Sequence, residues 1–521
     1  MNIFDGLRQQ AKLNPDNPAI SCGQTSYTYK EFHDRVVKLG NALLQLGVHK
    51  GDRVASLLLN CHRYLEIYYA TALIGAVVVP LNHRLAEAEL KYIMDDSDSE
   101  TLFVDDDLLP QIEPVFPELE KLRTKILASD GSGISGDMLG YEGLISIESS
   151  KLPKTEVTES DLGGIFYTGG TTGFPKGVML SQGNLVANAT NVLINIALGA
   201  DEVYCHAAPM FHLANGGSMY AYTIHGAKHT FLKTFEPKSF LEVVQAEKVT
   251  AIVLVPTMVN FVVNFPEVKD YDLSSLRRFT YGASPMPVEL LKNAMPIFDC
   301  DIMQGYGMTE ASPLLTVLRP EDHHTEGPEK LTRRLLSCGR EILGVEVRVV
   351  NENGDDVQQG EIGEIIARGA NIMQGYWNKE KETKEVLKNG WYYSGDMGTV
   401  DDEAYIFLVD RKKDMIISGG ENIYSTEVEN AIYTHPSVLE AAVIGIPDEK
   451  WGEAVKGVVV LKPEFKATAE EIIQHCKEQI ASFKVPKTID FMEELPKSGA
   501  GKILKKDLRE KYWEDQNRRI H

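Results

Sequence analysis

The feature that most narrows the folds open to this chain is a repeated handover from a helical pattern to a nearly unbroken apolar run. Phe32, Val36, Leu39, Leu43 and Leu46 recur at steps of four and three, one face of an amphipathic helix. Gly47 ends that pattern, and Gly51 and Asp52 lead into the run Val54 to Leu59, which suits a strand covered on both faces. The unit recurs. A helix-like stretch holding Leu85, Leu90 and Ile93 precedes Thr101 to Val104, and Phe240 to Val244 precedes Ala251 to Val255. Helix and buried strand in alternation predict an α/β architecture with mostly parallel sheets flanked by helices.

With 521 residues the chain is too long for one ordinary core, so more than one domain is expected. Around Gly360 to Ala367 and Ala404 to Val409 the texture changes to short strands with Gly and Asp turns, which predicts a β-rich subdomain over 335–410. The charged run Arg411 to Asp414 then separates a large domain, 1–410, from a small α+β domain, 411–521. Residues 321–334, with the adjacent His323 and His324, read as a solvated polar loop rather than a metal site.

Hydrophobic residues at 43% and charged residues at 25% are the balance of a folded globular protein. Lys plus Arg is 53 against 75 for Asp plus Glu, a net charge of −22, which disfavours a nucleic-acid partner. A polyanionic small molecule remains compatible, because a few cations can line one pocket of an acidic surface. Six scattered cysteines without ligand spacing read as reduced thiols. The start Met1-Asn-Ile-Phe-Asp carries no secretory pattern, and the apolar stretch Tyr68 to Leu81 is interrupted and too short to span a bilayer. These features predict a cytoplasmic protein.

The strand-like Ile165 to Thr168 is followed by Gly169, Gly170, Thr171, Thr172, Gly173, Phe174, Pro175, Lys176 and Gly177. Glycines let backbone N–H groups turn inward around phosphates, hydroxyls add donors and Lys176 adds a charge. A Walker A loop would need Gly before the lysine and Ser or Thr after it, so that reading fails on Pro175 and Gly177. By itself such a loop is also the spelling of a surface turn.

Five further segments accompany it in order: Tyr281 to Ser284, Gln304 to Glu310, Tyr393 to Asp396, Asp410 to Asn422 and Pro496 to Lys502. Together with 167–177 they resemble the motifs of the adenylate-forming enzymes, which include acyl-CoA synthetases, luciferase and peptide-synthetase adenylation domains. The resemblance covers nearly the whole chain. It implies a large AMP-binding domain, a small mobile C-terminal domain, and ATP, Mg²⁺ and CoA as cofactor or co-substrates. The two-glycine form of the loop, with Gly169 where many relatives carry Ser, is similar to that of fatty acyl-CoA ligases.

Roles follow from the resemblance residue by residue. Thr168, Gly169, Gly170, Thr171, Thr172, Gly173 and Lys176 would cradle the phosphates, and Thr309 would donate to a phosphate oxygen. Gly282, Ala283, Ser284, Gly305, Tyr306, Gly307 and Met308 would lie along the adenine, with Asp396 and Arg411 at the ribose. Glu310 is the implied Mg²⁺ ligand, as a hard oxygen donor suits that cation. Lys502 would bridge substrate carboxylate and α-phosphate, where two anions need a cation between them. His212 would lie beside the acyl carboxylate, with Asn215, Gly216 and Gly217 as pocket wall. Lys413 would be the hinge about which the small domain turns, and Gly419, Gly420, Trp451 and Lys484 would meet CoA. Read without the resemblance, His212 is as well a core histidine, Lys502 a surface lysine in a Gly-rich tail, and Asp396 a turn residue.

The expected reaction joins a carboxylic acid to CoA through acyl-AMP. The acid should be apolar and monocarboxylic, because Met210, Phe211, Ala214, Gly216, Gly217, Ala283 and Met308 offer no charged partner to a second carboxylate. A fatty acid is the first reading and an aryl acid the alternative. A carrier protein loaded in trans competes with CoA as acceptor, and a silent nucleotide-binding scaffold is the non-enzymatic alternative. A long-chain acid would bring transient membrane contact, and a homodimer fits the sequence as well as a monomer does.

Overall fold

The computed structural model describes residues 1–129, 136–146, 148–168, 175–284, 286–411, 414–418, 421–448, 450–498 and 503–513. Two sheets frame the large domain. The first has nine strands, in the order Arg340–Glu341, Leu314–Leu318, Asp301–Gly307, Arg278–Gly282, Ala251–Leu254, Val203–His206, Lys228–Phe231, Pro18–Cys22 and Thr25–Thr28. Its strands from Asp301–Gly307 to Pro18–Cys22 pair in parallel, and antiparallel strands close both edges.

The second has eight, in the order Gly375–Tyr376, Lys176–Ser181, Leu162–Thr168, Val77–Pro80, Arg53–Leu57, Thr101–Val104, Thr124–Leu127 and Leu139–Gly140. It is parallel from Leu162–Thr168 onward, while its first three strands pair antiparallel.

The predicted handover is visible in the first repeat. Thr28 caps the helix Tyr29–Gln45 and Glu31 completes a capping box. Phe32, Val36, Leu39 and Leu43 are fully buried, and the strand Arg53–Leu57 follows. The apolar stretch at 68–81 divides into the helix His62–Ile74, buried along its whole length, and the strand Val77–Pro80. Among the described residues no helix is long and apolar enough to cross a membrane. All six cysteines are free thiols.

The β-rich subdomain is an antiparallel sheet of Val345–Val350, Gly363–Gly369, Trp391–Val400, Leu387–Lys388 and Ile406–Arg411. Beyond it, Glu421–Ile423, Ile416–Ser418, Gly452–Leu461 and Val438–Asp448 form an antiparallel sheet that Thr488–Phe491 joins in parallel. Asp410 ties the two together by accepting the Ser425 N–H at 2.5 Å and its hydroxyl at 2.7 Å, at the first turn of the helix Ser425–Tyr433. Lys505, at the start of the helix Lys505–Trp513, reaches Ser425 Oγ at 2.5 Å and Glu429 at 2.8 Å.

The polar loop expected at 321–334 is corrected by the structure at two positions, while 325–330 are exposed as expected. Asp322 and His323 are 2% and 8% exposed. Tyr405 donates to Asp322 at 2.7 Å, Arg334 pairs with it at 2.9 Å, and His323 Nε2 lies 3.2 Å from the Tyr281 hydroxyl. Buried polar groups need such partners, and here they are supplied by elements far away in sequence.

Candidate active site

Parallel sheets bind ligands beyond the carboxyl ends of their strands. At that end of Arg278–Gly282 and Asp301–Gly307, Gly282 and Gly305 stand side by side. A Cβ on Gly282 would lie 2.2 Å from the Gly305 carbonyl oxygen, so only glycine fits. Ala283 follows in the left-handed region, φ +68°, and turns the chain at the strand end. Past Gly307, whose Cβ would strike the Pro313 carbonyl oxygen, the short turn Thr309–Ala311 carries Thr309 and Glu310.

Two ion-bearing clusters meet there. In the first, Tyr306 is 8% exposed and donates its hydroxyl to Asp396 Oδ2 at 2.9 Å. Arg411, the cross-strand neighbour of Asp396, holds Oδ1 at 3.2 Å. Burial, followed by the charge of Asp396, keeps the Tyr306 phenol well above its ordinary range. Burial opposes the Arg411 charge, but Asp396 and Asp414 outweigh it and raise that pKa.

The second cluster brings the predicted loop next to Glu310. The strands Leu162–Thr168 and Lys176–Ser181 pair so that Thr168 faces Lys176. Gly169, Gly170, Thr171, Thr172 and Gly173, between them, lie outside the described residues. Lys176 Nζ sits 5.1 Å from the centre of the Tyr376 ring, and Tyr376 donates to Glu310 Oε1 at 2.9 Å. Sequence reasoning missed Tyr376 altogether. Gly375-Tyr376-Trp377 has no period and no charge, and only its sheet pairing reveals it.

In the segment expected to face the acyl group, His212 precedes the helix Leu213–His225 as its N-cap, and its Nδ1 accepts the Ala214 N–H at 3.2 Å. That acceptor role places the ring proton of the neutral form on Nε2. Asn215 differs from the expected wall residue. It is 1% exposed, accepts from Tyr204 at 2.8 Å and donates to the Ala208 carbonyl at 2.5 Å, so it holds the segment 208–212 from behind. Gly216 and Gly217 are packing positions, since a Cβ there would lie 2.7 Å from Met210 O and 2.9 Å from Pro313 Cδ respectively. His83, absent from the sequence reading, stands edge-on to Phe211 at 5.3 Å, and burial pulls its ring down to about 4 and keeps it neutral.

Behind Asn215 lies a chain of neutral groups. The Thr223 hydroxyl is 3.0 Å from His229 Nε2, His229 Nδ1 is 3.0 Å from His206 Nε2, and His206 Nδ1 is 3.2 Å from Asn215 Oδ1. One proton per contact satisfies the chain, and an added proton would find no acceptor. Burial lowers His229 to about 3 and, with His229 beside it, holds His206 well below its ordinary value. Both folded values lie below the unfolded one, so stability is intact above about pH 6.5 and declines as pH falls, by about 1.4 kcal/mol per unit for each ring. Urea midpoints measured from pH 6.5 to 5 should fall accordingly, and His229→Gln should flatten that slope by one proton's share.

Of the residues assigned to the small domain, Lys413, Gly419, Gly420 and Lys502 lie outside the described residues. Their flanks are placed: Ser418 pairs with Glu421 across Gly419 and Gly420, and Lys497 bridges Ile503 beside Lys502. Trp451 is 44% exposed with Lys450 over its ring. Lys484 is held by both Glu427 oxygens at 2.7 and 2.8 Å, so its charge is already paired within this domain.

Glu310 offers a cation one carboxylate. No group of three or more His, Cys, Asp or Glu is placed to hold a metal among the described residues. A single hard oxygen fits Mg²⁺, which keeps its waters and takes phosphate oxygens, and does not fit a caged metal.

Comparison with known proteins agrees with this geometry. Residues 7–377 match the family model described as AMP-binding enzyme, and 427–502 match the AMP-binding enzyme C-terminal domain. The chain is 38% identical to a feruloyl-CoA synthase of an Amycolatopsis species, covering 97% of this chain and 98% of that one. It is 33% identical to the long-chain-fatty-acid–CoA ligase FadD13 of Mycobacterium tuberculosis, covering 98% of both. Among solved structures it is similar to the anthranilate CoA ligase AuaEII bound to anthranoyl-AMP, with a TM-score of 0.89, 26% identity, and 98% and 97% coverage. ATP-bound MatB of Rhodopseudomonas palustris gives 0.88 at 28% identity, with 99% and 100% coverage.

Proposed function

Because the chain belongs to the family of AMP-binding enzymes and is an AMP-forming acid–thiol ligase of the acyl- or aryl-CoA class, we propose that it joins an apolar monocarboxylic acid to CoA. A carboxylate oxygen attacks the α-phosphorus of ATP, the bond to the β-phosphate oxygen breaks, and pyrophosphate leaves. The CoA sulfur then attacks the acyl carbon, AMP departs with the bonding pair, and the thiol proton passes to solvent.

The chain's own groups divide these tasks. Residues 168–173 and Lys176 hold the phosphates, and Thr309 donates to one. Glu310 would hold Mg²⁺, which, when bound, draws negative charge from the phosphate oxygens. Gly282 to Ser284 and Gly305 to Met308 lie along the adenine with Tyr306. Asp396 receives the ribose hydroxyls, since each of its oxygens keeps a lone pair after meeting Tyr306 and Arg411. His212, with its proton on Nε2, stands beside the substrate carboxylate, and Lys502 bridges that carboxylate and the α-phosphate. A turn about Lys413 withdraws Lys502 and brings Gly419 and Gly420 to the pantetheine arm, with Trp451 at the surface near CoA. Lys484 takes part only if it releases Glu427.

One observation carries the choice of acid: across 256–262 and 304–315 the only charged residue is Glu310, itself engaged by Tyr376. A second carboxylate would be buried without a cation, which is costly. Within apolar acids, the two-glycine loop favours a fatty acid, and the 38% identity to a feruloyl-CoA synthase favours a planar aryl acid. Exchange of labelled pyrophosphate into ATP separates them when driven by fatty acids of graded length, cinnamic and indoleacetic acids, and malonate. Apolar monocarboxylates should drive exchange at least about tenfold faster than malonate. A dicarboxylate in the lead, or silence across the panel, would overturn the proposal. Supplying CoA or a phosphopantetheinyl carrier to the same mixtures identifies the acceptor.

A further inference from the structure

The geometry points to Tyr376 as a positioning residue that keeps Lys176 and Glu310 apart and aimed, so that one phenol sets both the ammonium for the phosphates and the carboxylate for the cation. This rests on the proposed reading of Lys176 and Glu310 as phosphate and Mg²⁺ partners. The observation beneath it is independent of that reading: a cation and an anion of opposite sign flank one ring and do not form an ion pair with each other.

Electrostatics alone would let the two neutralise one another when no nucleotide is present. An ammonium and a carboxylate at contact attract even in water, and more strongly in a partly buried cleft. The phenol prevents this in two ways. Its ring face holds Nζ 5.1 Å from the centroid, within cation–π range. Its hydroxyl holds Glu310 Oε1 at 2.9 Å, which leaves Oε2 without a bond from the phenol.

The residue is itself fixed from several sides. Gly375 and Tyr376 pair with Met179 and Val178, three and two strand positions beyond Lys176. Trp377 N–H donates to Gly177 O at 2.7 Å, and Met373 N–H to Glu310 O at 2.8 Å. The Tyr376 N–H donates to Thr383 Oγ1 at 2.9 Å. One five-residue strap, 373–377, thereby joins the backbone of Glu310 to the strand of Lys176.

The test uses the full-length protein and two variants whose folding is first checked by circular dichroism. ATP binding is measured by titration calorimetry with Mg²⁺ and with EDTA, alongside the Mg²⁺ concentration for half-maximal pyrophosphate exchange. Tyr376→Phe keeps the ring beneath Lys176 and loses the bond to Glu310. It should raise the half-saturating Mg²⁺ about tenfold, the size expected for a hydrogen bond to a charged group, and leave ATP affinity in EDTA within about twofold. Tyr376→Leu removes both contacts, and ATP affinity should then fall in EDTA as well, because Lys176 closes onto Glu310. An unchanged Mg²⁺ requirement in Tyr376→Phe overturns the inference. So does an equal loss in both variants with and without Mg²⁺, which marks a purely structural tyrosine. Wild-type protein that binds no ATP, or binds it without regard to Mg²⁺, would instead sink the nucleotide reading.

Discussion

Lys502→Ala is expected to slow acyl-adenylate formation about 10²–10³-fold, the loss seen when one preorganised charge-stabilising donor is removed. Thioester formation from supplied acyl-AMP should stay within about threefold of wild type, because the carboxylate and the α-phosphate have already been joined and no repulsion between them remains. Single-turnover assays started from ATP and acid, or from acyl-AMP and CoA, read the two halves separately. Equal loss in both would refute a role for Lys502 confined to the first step and mark it as a general structural residue. The neighbouring Ile503 pairs with Lys497, so the backbone beside the substitution keeps its anchor.

Gly282→Ala is expected to destabilise the protein by about 3 kcal/mol and to abolish ATP binding, because the new methyl meets a backbone oxygen of the adjacent strand. Its Cβ would stand 2.2 Å from Gly305 O, and a parallel strand in the middle of a nine-stranded sheet has nowhere to retreat. Gly305→Ala is the control. There the nearest atom is Leu314 Cδ1 at 3.0 Å, the end of a side chain that can rotate, so about 1 kcal/mol should be lost. Urea unfolding of both variants decides this, and similar midpoints for the two would show that the strands can part.

Much of this site could be read from the chain because its requirements are local. Gly282 and Gly305 each sit in a short motif at a strand end, and the helix face of Phe32, Val36, Leu39 and Leu43 repeats within a few turns. What escaped sequence reading depends on partners remote in sequence. Asn215 looks like a wall residue until Tyr204 and Ala208 are seen to occupy its amide. His323 looks solvated until Tyr281 and the ion pair at Asp322 cover it. Tyr376 carries no local mark at all, since its role is fixed by Glu310 and Lys176, which belong to two other segments of the chain.

The strap at 373–377 also fixes an order of events during synthesis. Its pairing partners at 178 and 179 leave the ribosome about 200 residues earlier, a span of high contact order. Until residue 375 emerges, Lys176–Ser181 is a bare sheet edge, the kind of surface that invites wrong partners. A nascent chain halted before that point would hold the strand Lys176–Ser181 without the tyrosine that hydrogen-bonds to Glu310, so that contact forms only once nearly three quarters of the polypeptide has been made.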